Sequence, residues 1–221
     1  MYSNYRELMY VGLIFGVEFF LGTLFREYTD SFIESTFIAR KTAYILVVVV
    51  ICLLIYFGIK KRILSGIRID FDETNFSNLL KWTFLCCVCT IMSFCFTMFL
   101  FSFSDSAWVV GSNVSSDSSK LLFGEKIIYL IASSIGAPVM EELIYRGVLI
   151  GFLKKYCNIN AVIIVSSLIF GILHFTSIAV IFNATLMGLA FSYMYVKTDN
   201  LAFSMMMHGI LNCVVILKSC F

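Results

Sequence analysis

The chain has 221 residues, of which 60% are hydrophobic and only 14% are charged, and its formal net charge is +2. Soluble domains carry roughly 25% charged residues, so this composition excludes an ordinary soluble fold and requires lipid to cover the apolar surface. It also excludes disorder and a disulfide scaffold as main descriptions, and no basic block indicates a nucleic-acid partner.

Seven apolar segments have the character of membrane-spanning helices, each of which needs ~20 mostly apolar residues. The first contains Glu18, and the fifth is short. The segments cover residues 9–25, 43–59, 82–103, 122–152, 161–175, 177–196 and 201–217. The sequence therefore predicts an all-α, polytopic transmembrane helix bundle of about seven spans, with six to eight compatible with the pattern. We expect one membrane domain, in which residues 1–120 supply N-terminal helices and loops and residues 121–217 supply the helices that carry the candidate functional residues.

The distribution of Lys and Arg between these segments predicts an N-terminus on the inner side of the membrane. The inner side then collects Arg6, Lys60, Lys61, Arg62, Arg68, Lys81, Lys154, Lys155 and Lys197, against Arg26, Arg40, Lys41, Lys120, Lys126 and Lys218 outside. The polar stretch 111–120 becomes an outer loop, and residues 63–80 become an inner loop or surface helix. We expect an integral protein of a bacterial-type cell membrane.

The fourth segment holds two carboxylates and a guanidinium among apolar residues. Each such charge costs ~2.5–3.5 kcal/mol to insert, so it needs a reason to be there. Glu142 and Arg146 are four residues apart, share a helix face and are predicted to pair. Glu141 is rotated about 100° from Glu142 and is the poorer partner for Arg146. The spacing therefore leaves Glu141 as the candidate general base.

Both histidines of the chain also fall in apolar segments. His174 lies in the fifth segment, one residue before its end, while His208 and Asn212 are four residues apart in the seventh and can face one cavity. Glu141, His174 and His208 together form a set of two histidines and one carboxylate, which suits zinc. A purely structural role remains the alternative: histidines often join membrane helices, and Glu142 with Arg146 can be a structural pair. Glu18, a lone acid, is interpreted as lying near a helix end or bonding a neighbour rather than acting in catalysis.

These residues resemble three motifs of a known protease family. Glu141-Glu142-x-x-x-Arg146, Phe170-x-x-x-His174 and His208-x-x-x-Asn212 are similar, in this order, to the motifs of the CAAX-protease and bacteriocin-processing (CPBP, or Abi) family, which includes the type II CAAX prenyl endopeptidases. Residues 137–138, 145–147 and 187–201 extend the similarity, which covers about residues 127–215. The first 120 residues carry no family signal beyond being membrane spans.

The resemblance implies an intramembrane endopeptidase that acts on a peptide or protein substrate within the lipid bilayer. It assigns water activation to Glu141 with His174, oxyanion stabilisation to His208 and Asn212, and a supporting role to Glu142 and Arg146. Zinc-dependent and metal-free mechanisms are both open; in the first, the metalloprotease version, Glu141, His174 and His208 are the ligands. By analogy, the function extends to CAAX-type processing, peptide maturation or bacteriocin self-immunity.

Two other functions compete with this hypothesis. A non-catalytic membrane immunity or scaffold protein would bind a peptide or membrane partner and use the polar residues only to hold helices together. A small transporter or proton relay would need polar residues along several helices. The second segment has no charged residue and the third has only Ser and Thr as polar groups, which argues against a relay.

Overall fold

The computed structural model describes residues 2–31, 37–72, 76–103 and 121–220, and this part of the chain contains helices and turns but no strand. Seven helices follow one another there: α1 (Tyr2–Ser31), α2 (Phe37–Lys60), α3 (Phe76–Phe101), α4 (Phe123–Leu153), α5 (Ile159–Leu173), α6 (Ile178–Thr198) and α7 (Leu201–Cys220). Each contains one of the seven predicted apolar segments or most of it. The all-α membrane fold class is confirmed.

Four of these helices are long and apolar enough to cross a membrane, judged by length and composition: α3, α4, α6 and α7. The described part of α2 from Tyr44 to Lys60, together with α5, is apolar but shorter. The chain is therefore an integral membrane protein. The predicted inside location of the N-terminus stays a prediction, and the predicted outer loop at 111–120 lies outside the described residues.

The helix ends follow local rules of backbone capping. Asn158 accepts a hydrogen bond from Ala161 N–H at the start of α5, and Ser177 accepts one from Val180 N–H at the start of α6. Helix α6 ends at Asp199, whose left-handed φ of 48° stops the helix and turns the chain into α7. Helix α5 ends at Leu173, so His174 lies just after the helix and not inside it as the predicted segment 161–175 has it.

Two compact units divide the chain. The first consists of Met1–Ile67, Ser115–Phe152 and His208–Phe221, and the second of Arg68–Val114 and Leu153–Met207. The predicted division near residue 120 stays a prediction.

The first unit has an apolar core in which α1 packs against α2, and α2 against α4. The side chains of Ile14 on α1, Ile51 on α2, and Ile144 and Val148 on α4 are buried there. After α2 the chain turns sharply at Arg62, with φ of 54°, and returns Leu64 toward Gly58. A Cβ at Gly58 would lie 2.6 Å from the Tyr10 ring, so only glycine allows this close approach.

The second unit places α6 between α3 and α5. Glycine permits close helix contact, as membrane helices often need: a Cβ at Gly188 would lie 3.1 Å from the Ser167 backbone. Of residues 63–80, predicted as an inner loop or surface helix, residues 63–70 form a loop and residues 76–80 are the start of α3. The second-unit part of this loop is fixed by the fully buried Asn200, whose side chain accepts from Asp70 N–H (2.9 Å) and donates to the Asp70 carbonyl (2.6 Å).

Candidate active site

Helix α4 carries the acidic motif in an irregular part of its length. The backbone widens into π-helical turns at Ala132–Gly136 and Leu143–Leu149, which flank a short α-helical stretch, Ala137–Glu142. In the first wide turn Ala137 N–H bonds to the Ala132 carbonyl, five residues back. Such π-turns occur often at functional sites, because they rotate side chains away from the regular helical positions.

Pro138 explains part of this irregularity. Proline has no N–H, so residue 138 can bond to neither the Ser133 nor the Ser134 carbonyl, the two acceptors one turn before it. Both carbonyls are instead approached by α7. Asn212 donates from Nδ2 to Ser133 O at 2.9 Å, and a Cβ at Gly209 would lie 2.6 Å from Ser134 O. The missing N–H at Pro138 thus favours the approach of α7, the helix that carries the last motif, to these carbonyls.

Glu142 lies at the centre of a buried charged cluster. Its side chain is fully buried, and its Oε1 accepts from Arg146 Nη1 at 3.0 Å, which is the pairing expected from their spacing. The same oxygen lies 3.0 Å from Nδ1 of His208. A carboxylate oxygen only accepts, so the His208 Nδ1 carries the proton of this hydrogen bond.

His208 lies between the two glutamates. With Nδ1 on Glu142, its Nε2 is directed to Glu141 and lies 3.7 Å from Oε2. The ring is nearly buried, so this arrangement operates at low dielectric, where charge interactions are strong. Glu142 has its charge matched by Arg146, and Glu141 faces the second ring nitrogen. The two neighbouring carboxylates therefore have different environments, as their spacing predicts.

Asn212 and His174 are held through backbone carbonyls. Asn212 uses one of its two amide N–H groups on Ser133 O, and the other points away from that bond. His174, in the second compact unit, contacts the Phe170 carbonyl through Nδ1 at 2.8 Å, and its ring stacks at a tilt on Phe170 with centroids 4.5 Å apart. Because a carbonyl only accepts, the His174 Nδ1 carries the proton of this hydrogen bond.

Two residues outside the predicted site also reach this region of the first unit. The Tyr145 hydroxyl donates to Oε1 of Glu18 at 3.2 Å. Glu18 thus bonds a neighbour, which is one of the two placements expected for it. Tyr145 was not predicted to contribute, although a phenol beside Arg146 in an apolar helix is itself a signal, since a buried hydroxyl usually finds a partner.

The two histidines share one feature with known zinc ligands. Histidine ligands usually donate their second ring N–H to a carboxylate or carbonyl, and His208 and His174 both do so. However, no group of three or more His, Cys, Asp or Glu side chains is arranged to hold a metal ion in the described ranges. The zinc-dependent mechanism stays a prediction.

Comparison with known proteins connects this site to a protease family. A family profile described as type II CAAX prenyl endopeptidase Rce1-like matches residues 123–214, the range that holds all three motifs. This confirms the resemblance to the CAAX-protease family. No solved structure matches the chain.

Two curated proteins are similar to part of this chain. The "Putative membrane peptidase YdiL" of Bacillus subtilis (strain 168) is 31% identical over 90 residues, which are 41% of this chain and 36% of the relative. The "Membrane-embedded CAAX protease MroQ" of Staphylococcus aureus (strain USA300) is 35% identical over 117 residues, 48% of this chain and 46% of the relative. The matches therefore span less than half the length of each relative.

Proposed function

We propose that the chain is a membrane endopeptidase that hydrolyses a peptide bond with water activated by Glu141. The observation that carries this proposal is the position of His208 between Glu142 and Glu141, with Glu142 also bonded to Arg146. A purely structural cluster needs one carboxylate for Arg146. A second carboxylate directed at the imidazole adds an acid–base pair, which peptide hydrolysis requires.

The proposed reaction gives each of these groups one role. The carboxylate of Glu141 removes a proton from water, and the hydroxide attacks the carbonyl carbon of the scissile bond. Protonated His208, whose Nδ1–H is held by Glu142, presents its Nε2–H to the developing oxyanion. The second amide N–H of Asn212 is the other donor. Glu141 then transfers its proton to the leaving nitrogen, which breaks the C–N bond and gives one carboxylic acid and one amine.

The resemblance to the family assigns His174 to water activation, and this role stays a proposal. The hydrogen bond of its Nδ1 to the Phe170 carbonyl fixes the orientation of the ring. We infer that His174→Ala lowers turnover by a factor typical of a lost acid–base group, roughly 10²–10⁴.

The substrate class proposed is a peptide or protein segment that reaches the site from the membrane. CAAX-type processing, maturation of a secreted peptide and bacteriocin self-immunity all supply such a substrate. The sequence around the bond cleaved in a peptide library distinguishes them, because CAAX-type cleavage requires a cysteine three residues from the C-terminus. A chelator tests the zinc-dependent alternative in the same assay.

The decisive experiment compares the full chain with Glu141→Gln in liposomes. The substitution keeps the shape of the side chain and removes the base. We expect cleavage by the wild type and none by a folded Glu141→Gln variant. Equal cleavage by both would assign the base elsewhere. If neither cleaves and both protect cells equally from a toxic peptide, a non-catalytic immunity protein replaces the protease.

A further inference from the structure

Helix α1 directs Glu18 toward protein rather than lipid. Val11 and Ile14 are buried in the core of the first unit, and Glu18 lies seven residues after Val11 and four after Ile14, on the same helix face. Gly12 and Gly16 lie on another face and have no neighbour within 4 Å where a side chain would be. The Glu18 carboxylate therefore lies at a position where the helical spacing of the buried residues predicts an apolar core residue.

Tyr145 is the partner of the Glu18 carboxylate, and α1 contacts Tyr145 at two points. Its side chain is 2% exposed, and its hydroxyl donates to Glu18 Oε1 at 3.2 Å. Its ring packs edge-on against Phe15, with centroids 5.7 Å apart. Phe15 and Glu18 are three residues apart and share one side of α1, so one helix fixes both the ring and the hydroxyl.

The residue held in this way is within the catalytic motif. Tyr145 lies in the wide turn Leu143–Leu149, directly before Arg146 and one turn after Glu141. A wide helical turn lacks the regular bonding of an α-helix and so depends on outside contacts for its rotation.

We propose that Glu18 is a positioning residue for the active site: through the Tyr145 hydroxyl it fixes the rotation of the α4 turn that orients Glu141 and Arg146. The inference rests on the proposed peptidase function. It gives the N-terminal helix, which carries none of the three motifs, a defined task in catalysis. Intramembrane carboxylates are expensive, and this contact gives Glu18 a reason to be there.

The test measures kcat, KM and thermal unfolding for Glu18→Leu, Tyr145→Phe and the double variant in liposomes. We expect each single variant to lose roughly 10- to 100-fold in kcat, the range for a misplaced reacting group, with KM little changed. The double variant should lose no more than the worse single variant, because both changes remove one interaction. Glu18→Gln keeps an acceptor oxygen for Tyr145 and should retain more activity than Glu18→Leu.

Tyr10→Phe is the matched control. It also removes a tyrosine hydroxyl that joins α1 to another helix, since Tyr10 donates to the Leu54 carbonyl at 2.7 Å. This change should lower the unfolding temperature without lowering kcat. Additive losses in the double variant, equal losses in Tyr10→Phe, or wild-type kcat in both single variants would overturn the inference while leaving the peptidase intact. A wild type that cleaves nothing overturns both.

Discussion

Glu142 and His208 are 66 positions apart in the chain and share a buried hydrogen bond of 3.0 Å between Oε1 and Nδ1. The same oxygen also accepts from Arg146, so one carboxylate joins a turn of α4 to the helix that carries the last motif. This bond determines which nitrogen of His208 faces Glu141. The orientation of His208 proposed for catalysis and the stability of this buried cluster therefore both depend on Oε1 of Glu142.

Glu142→Ala should strongly destabilise the protein. It leaves the guanidinium of Arg146 buried without its carboxylate, and breaking a buried pair in this way costs ~3–5 kcal/mol. We expect the double variant Glu142→Ala/Arg146→Met to recover part of this loss. Thermal unfolding in detergent measures the difference. The half-exposed pair Arg68 and Asp70 is the control, where Asp70→Ala should cost about 1 kcal/mol or less.

Gly209→Ala should lower the unfolding temperature, although alanine favours a helix. The added Cβ would lie 2.6 Å from the Ser134 carbonyl, and backbone on both sides would have to move. Gly12→Ala is the matched control, since it has open space and should gain ~0.5–1 kcal/mol from helix propensity. Equal responses of the two variants would show that α7 does not approach α4 this closely.

Asn212 and Pro138 should show coupled effects on stability. Asn212→Ala removes the donor to Ser133 O, a loss of roughly 1–3 kcal/mol for a carbonyl left without it. Pro138→Ala returns an N–H one turn after that carbonyl, so it should reduce the cost of Asn212→Ala. The measured quantity is the interaction energy of the double-mutant cycle. Activity should not recover, because the second amide N–H of Asn212 is still missing.

Asn200→Ala should loosen the loop before α3 and the start of α7. The side chain makes two bonds to Asp70 and accepts from Ala202 N–H at 3.1 Å, so several backbone groups lose a partner. We expect a loss of ~1–3 kcal/mol for each buried group left unbonded, and faster hydrogen exchange at Asp70 and Ala202. Asn158→Ala, at an exposed helix start, should cost only ~1 kcal/mol. Similar losses of stability at both positions would argue against the buried hydrogen bonds of the Asn200 side chain.

Part of the site is readable from sequence because it is local. The i,i+4 spacing of Glu142 and Arg146 predicts their pairing, and apolar length predicts the seven helices of the described residues, since both depend only on neighbouring residues. The predicted fifth segment ends at residue 175, whereas α5 ends at Leu173. A tight turn bonds His174 N–H to the Gly171 carbonyl there, and the hydrophobicity of the sequence does not predict this turn.

The sequence by itself determined that this chain lies in a membrane as helices, that the motif acids, histidines and arginine fall in apolar segments where charges are costly, and which family these motifs resemble. Only the tertiary structure decided that His208 bonds to Glu142, that Asn212 bonds to a carbonyl that Pro138 cannot reach, and that Glu18 bonds to Tyr145. Helical periodicity gives the face on which a side chain lies. The partner across that face depends on how separate helices pack, and this packing brings together residues 66, 79 and 127 positions apart.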